Sequence, residues 1–104
     1  MLMKIKEKEA GAFAIHLEGY FEPEDAAPLH KALKLLFQKN PEQIILDFSG
    51  VDYIDYAGIE VLQEARQRTQ DQNIRFSLGN VSPALEAAFD FAKVKENFEF
   101  IRTD

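Results

Sequence analysis

Three aspartates, Asp47, Asp52 and Asp55, follow closely on the apolar run Ile44-Ile45-Leu46. Carboxylates that converge at the end of a strand are the donor set of a magnesium pocket in phosphoryl-transfer domains. Aspartate also has local uses: Asp55 is placed to cap a following helix, Asp47 to accept from backbone N–H groups in an acidic turn, and Asp52 to face water. A receiver-type phosphoacceptor domain needs paired acids after its first strand, where this chain reads Met3-Lys4-Ile5-Lys6-Glu7. The local roles are the stronger reading, and metal-dependent phospho-transfer on the acidic turn is the weaker alternative.

No other group assembles a catalytic constellation. The two histidines, His16 and His30, are far apart in sequence and fit no H-E-x-x-H spacing, so both are assigned surface or structural roles. Ser49-Gly50 lacks the upstream glycine of a nucleophile elbow, and there is no glycine-rich phosphate loop. The chain is therefore read as non-enzymatic and without a cofactor or metal. The segment Asp55-Tyr56-Ala57-Gly58 is different in kind. First-turn N–H groups and the positive end of the helix dipole stabilise a phosphate there, and the same phosphate repels an acidic partner. The Ala57 methyl cannot accept one. Tyr56 carries a hydroxyl, but its length holds that hydroxyl away from the helix terminus, so Tyr56 is read as a partly exposed aromatic contact. Gly58 is read as a close-approach position and Ile59 as core.

The elements that would carry these residues follow from periodicity. Met3 and Ile5, then Phe13, Ile15 and Leu17, alternate with polar residues as half-buried strands do, and Glu9-Ala10-Gly11 between them predicts a hairpin, with Gly19 just after the second strand. Glu22-Pro23-Glu24-Asp25 predicts a helix start, Pro28 allows that start to move to about residue 27, and Leu29, Leu33, Leu36 and Phe37 recur at helical spacing. Asn40-Pro41 stops that helix. Ile44-Ile45-Leu46 then reads as a central strand covered on both faces. A second helix buries Ile59, Leu62, Ala65 and Thr69 and exposes Glu60, Glu64, Gln67 and Arg68. Ile74 to Leu78 alternates as a strand, Gly79-Asn80 turns, Ser82-Pro83 opens a helix with Leu85, Ala88 and Phe89 inward, and Phe98 to Ile101 forms a last short strand. The predicted class is α/β: a mixed sheet of about five strands, antiparallel at its start, with helices mainly on one side.

At 104 residues the chain is read as one domain over 1–104. A hydrophobic share of 46% with nine Phe supports a real core, and a net charge of −6 with scattered Lys and Arg argues against nucleic acid and for a basic or neutral partner face. There is no cysteine and no long apolar run, so the expectation is a cytoplasmic protein without direct membrane insertion.

The run from Ile44 through Leu46-Asp47-Phe48-Ser49-Gly50-Val51 and Ile54-Asp55-Tyr56-Ala57-Gly58 to Ile59 resembles the signature of the STAS family, which includes domains of sulfate transporters and bacterial anti-sigma-factor antagonists. In antagonists that signature reads roughly D-L-S-G-V-x-x-I-D-S-S-G-L, and the serine before its last glycine is the phosphorylated switch. Here that position is Ala57. Gly19-Tyr20-Phe21-Glu22 is similar to the family's G-E-L-D turn, whereas Ala92-Lys93-Val94 departs from it where many members have a glycine. The resemblance implies a STAS-like fold and a protein-binding module. Its partner would be an anti-sigma factor or serine kinase-type regulator, docked at Asp52, Asp55, Tyr56, Ala57 and Gly58, with Gly19 and Glu22 at the border. With alanine at the switch, such a protein behaves as permanently unphosphorylated or answers to another signal. The alternative it implies is a cytoplasmic STAS subunit of a lipid-transport ABC system, with the same kind of surface against the transporter ATPase.

Overall fold

A computed structural model describes residues 1–103. The chain runs β1 (Leu2–Glu9), β2 (Ala12–Phe21), α1 (Ala26–Phe37), β3 (Gln43–Ile54), α2 (Tyr56–Asp71), β4 (Arg75–Gly79), α3 (Pro83–Phe91) and β5 (Glu99–Ile101), with short 3-10 turns at Pro23–Asp25 and Lys95–Asn97. The sheet order is β1-β2-β3-β4-β5. β1 and β2 form the predicted antiparallel hairpin, and every later pair is parallel, each crossover carrying one helix.

Register decides which side chains meet. Phe13 and Ile15 on β2 pair with Ile44 and Leu46 on β3, and these pair in turn with Phe76 and Leu78 on β4. Alternation puts all six on one face. There they join Leu29, Leu33 and Leu36 of α1, Ile59, Leu62 and Ala65 of α2, and Leu85 and Phe89 of α3 in a single apolar core. Phe21 stacks on Phe48, and Phe89 meets Phe98 and Phe100 edge to face. The three helices therefore lie on one side, as the pattern of the sequence predicts.

The opposite face corrects one expectation: the central strand is not covered by helices on both sides. Ile45 is nonetheless buried there, between its register partners Ala14 and Ser77. Alanine and serine are small enough to let the isoleucine settle among the surrounding polar side chains. A second correction concerns β1, where Ile5 faces the helical side opposite Ile15 but stays exposed, because the helical layer ends short of this edge strand. A third concerns the start of α1. Glu22 to Asp25 form a 3-10 turn closed by a reciprocal capping box, in which the Glu22 N–H donates to the Asp25 carboxylate at 2.8 Å, and the α-helix begins at Ala26.

The largest correction is to the acidic turn. β3 continues unbroken as a strand from Gln43 to Ile54, and its pairing with β2 slips twice, after Asp47 and again after Val51. Each slip is a bulge that inserts an extra residue on β3. Phe48, Val51 and Ile54 consequently face the core at a spacing of three, which no simple strand pattern contains. β2 likewise extends beyond its expected end. Gly19 lies inside it at φ +106, a left-handed conformation that favours glycine, and pairs with Val51 beside the second bulge.

Candidate functional site

The bulged ends of β2 and β3 and the first turn of α2 converge at one end of the sheet. Asp55 is in extended conformation and its carboxylate accepts from the Gly58 N–H at 2.8 Å, the cap the sequence predicts. Tyr56, Ala57 and Gly58 then occupy the first three helical positions. Tyr56 is exposed, Ala57 partly so, and Gly58 is buried. A Cβ on Gly58 would stand 2.8 Å from the Phe21 carbonyl oxygen and 2.9 Å from Ile54, so this residue seats α2 against β2 from beneath the surface. Asp52 is exposed between the two bulged segments, and Glu22 is exposed just beyond β2. The hydrogen-bonded carboxyl of Glu24 beside it, joined by the charges of Asp25 and Asp55, raises the Glu22 pKa from its ordinary value. The rim is thus crowded with negative charge.

This surface is also aromatic. The chain has three tyrosines, and all three stand here: Tyr20 and Tyr53 pack edge to face with ring centres 5.8 Å apart, and Tyr56 is exposed beside them in the chain, each at least half accessible. A groove of about 590 Å³ runs from Tyr53, Asp55, Tyr56 and Ile59 to Ala88, Phe91, Ala92 and Lys93, between the start of α2 and the end of α3. Phe91 projects from that wall 91% exposed. Tyr20, Tyr53 and Phe91 were not singled out from sequence. The signal for Phe91 is its position off the inward stripe Leu85, Ala88, Phe89, and for the tyrosines it is their shared return to strand ends and a helix start.

The three aspartates do not converge. Asp47 and Ile54 lie opposite His16 and Phe21, so at about 3.3 Å per residue along β2 Asp47 sits roughly 16 Å from the residue before Asp55. Asp47 instead belongs to the uncovered sheet face. It accepts from the Ser49 N–H at 3.0 Å and from Asn80 Nδ2 at 3.1 Å, and lies 3.0 Å from His16 Nδ1. Partial burial pushes its pKa up, but these hydrogen bonds from His16, Asn80 and Ser49 outweigh it and hold the carboxyl at about 2. Asn80 also exchanges two hydrogen bonds with Thr103, so the cluster ties Thr103 to the sheet. The His16 Nε2 lies 3.3 Å from Glu18 Oε2. Farther along the same face Arg75 forms a two-pronged ion pair with Glu99, which also accepts from the buried Ser77 hydroxyl. His30 sits on α1 with its Nε2 3.9 Å from Glu64 on α2. Among the described residues no helix is long and apolar enough to cross a membrane.

Solved structures with the same fold include the anti-sigma factor antagonist SpoIIAA in its unphosphorylated form, at TM-score 0.79 and 17% identity, covering 99% of this chain and 89% of that one. An anti-sigma factor antagonist from Mycobacterium paratuberculosis matches at TM-score 0.79 and 17% identity, covering 98% and 86%. A sulfate transporter family protein from Wolinella succinogenes matches at TM-score 0.80 and 22% identity, covering 92% and 80%. None of the curated proteins matches the chain. The family model of the STAS domain matches residues 3–103. With that match spanning nearly its whole length, the chain belongs to the STAS domain family.

Proposed function

We propose that this protein is a non-enzymatic binding module of the anti-sigma-factor-antagonist type. It docks on a kinase-type anti-sigma factor through the start of α2 and the flanking ends of β2 and β3, and it lacks the phosphorylatable hydroxyl at the usual position. The observation that supports this most is the placement of Ala57. It stands in the first turn of α2, partly exposed, two residues after the cap Asp55 and next to the exposed Tyr56, on the end of the molecule where all three tyrosines face solvent. Tyrosine offers a large contact area with few rotors to immobilise, which suits a recurrent protein interface. Gly19 borders the same end through its left-handed backbone, and Gly58 supports it from below.

A methyl at position 57 leaves the helix start permanently free of phosphate. Partner binding would then be regulated by abundance or by the partner's own state, not by serine phosphorylation here. The alternative, a STAS subunit held against a transporter ATPase in the cytoplasm, uses the same surface, and the same experiment separates the two. Wild-type and Ala57→Asp chains are used in parallel for affinity capture from the native cells. An acid in the first helical turn suits the dipole and leaves the fold intact, while placing a charge in the contact. Recovery of a kinase-like regulator by the wild type alone supports the antagonist reading, and recovery of transporter subunits by the wild type alone supports the alternative. Identical partners from both baits would show that docking lies elsewhere.

A further inference from the structure

We propose that the groove between the start of α2 and the end of α3 receives the apolar ridge of a basic amphipathic helix from the partner protein. This rests on the chain being a protein-binding module, and it adds the chemistry of what is bound.

The floor and walls of the groove point to a helix. Ala88 and Ala92 are one helical turn apart and small, so they leave a channel between the Tyr53, Tyr56 and Ile59 side and Phe91. Ridges of side chains at i, i+3, i+4 and i+7 fit channels of this kind. Most of its lining lies on or at the ends of α2 and α3, so the channel is walled chiefly by helix side chains. Phe91, at 91% exposure, shares this lining with the exposed Tyr53 and Tyr56, and a contiguous exposed apolar patch marks an interaction site.

Charge selects the flanks of that helix and disfavours a second copy. Asp55 lines the groove, Glu22 lies within charge range of it, and Asp52, Glu60 and Asp90 are exposed and adjoin the lining residues Tyr53, Ile59 and Phe91 in the chain. Lys93 is the single cation in the lining. Two copies meeting face to face here would set this acidic rim against itself, on chains each carrying a net charge of −6. A ridge flanked by Lys and Arg meets the opposite condition.

The test uses the whole chain labelled with 15N and a synthetic helix-forming peptide of about 18 residues, five helical turns, with Leu at i, i+3, i+4 and i+7 and Lys and Arg on its flanks. A matched peptide carries the same leucines with Glu flanks. The expected result is saturable shifts of the Tyr53, Tyr56, Ile59, Ala88, Phe91 and Ala92 amides with the basic peptide. The acidic peptide and the Phe91→Ser chain should each bind about tenfold more weakly or worse, as for the loss of a contact hot spot. Phe91 is too exposed for the serine to disturb folding, and the spectrum of the variant checks this. Shifts confined to other residues, equal affinity for both peptides, or unchanged affinity of Phe91→Ser would overturn the proposal. Concentration-dependent shifts of these amides without peptide would overturn it in favour of a second copy. With a captured kinase-type partner, loss of binding in Ala57→Asp but not in Phe91→Ser rejects the groove and leaves the docking function standing; loss in neither rejects both.

Discussion

Lys93 adopts φ +62 immediately after α3. The Val94 N–H reaches back to the Phe89 carbonyl at 3.1 Å and the Lys93 N–H to that of Asp90 at 2.9 Å, the hydrogen bonds of a Schellman closure. The family commonly has a glycine in this connection, and the left-handed backbone explains the preference, since a Cβ is disfavoured there. Lys93→Gly should therefore stabilise the fold by about 1 kcal/mol, read as a higher urea midpoint at unchanged slope. Asp47 makes a second prediction at this scale. Its carboxyl is held at about 2, below its ordinary 3.8, so the folded state favours the ionised form. That stability is fully present above about pH 4 and is lost as pH falls toward 2. Asp47→Asn should lower stability by about 1 kcal/mol at neutral pH, after allowing for solvent screening, and should flatten the acid limb of the stability curve over that window.

At the scale of elements, the site depends on how β3 is seated and how α2 is anchored to it. Leu46 is wholly buried at the centre of the sheet, between Ile15 and Leu78. Leu46→Ala should cost about 2–5 kcal/mol, and an unchanged melting temperature would contradict the packing. Gly58→Ala tests the junction of α2 with β2. Its Cβ would press on the Phe21 carbonyl and Ile54, so denaturation should show a loss of about 1–3 kcal/mol even though alanine favours helix. The helices and the caps of α2 and α3 were legible in sequence, because Asp55 and Ser82 announce N-termini and the apolar stripes repeat locally. The two bulges of β3 were not. Ser49-Gly50 reads as a turn, and a spacing of three in Phe48, Val51 and Ile54 belongs to no regular element until β2 is laid beside it.

At the scale of the whole molecule, the sheet separates two different surfaces. One face is covered by three helices, and the other is an open polar lattice built on His16, Asp47, Ser77, Asn80 and Glu99. The tyrosine end lies where the long strands β2 and β3 run beyond β4 and β5, which leaves their bulged tips and the start of α2 free to meet another protein. With a net charge of −6, the protein would attract the proposed basic partner at long range. Raising ionic strength from about 0.05 to about 0.5 M should slow association roughly tenfold or more while changing dissociation little, as stopped-flow mixing would show.

Read alone, the sequence carries the order of elements, the hairpin, the caps at Asp55 and Ser82, the core stripes and the family. These depend on residues close together in the chain, whose spacing carries the information. It also placed Ala57 in the first turn of a helix. Folding in three dimensions makes the acidic segment a bulged strand with its aspartates spread apart, and sets Asp47 on the uncovered face with His16 and Asn80. The same holds for Tyr20, Tyr53, Tyr56 and Phe91, drawn from two strand ends and two helices onto one end of the molecule. Those outcomes depend on inter-strand register and on which faces the helices leave bare, and both are set by contacts between residues distant in the chain.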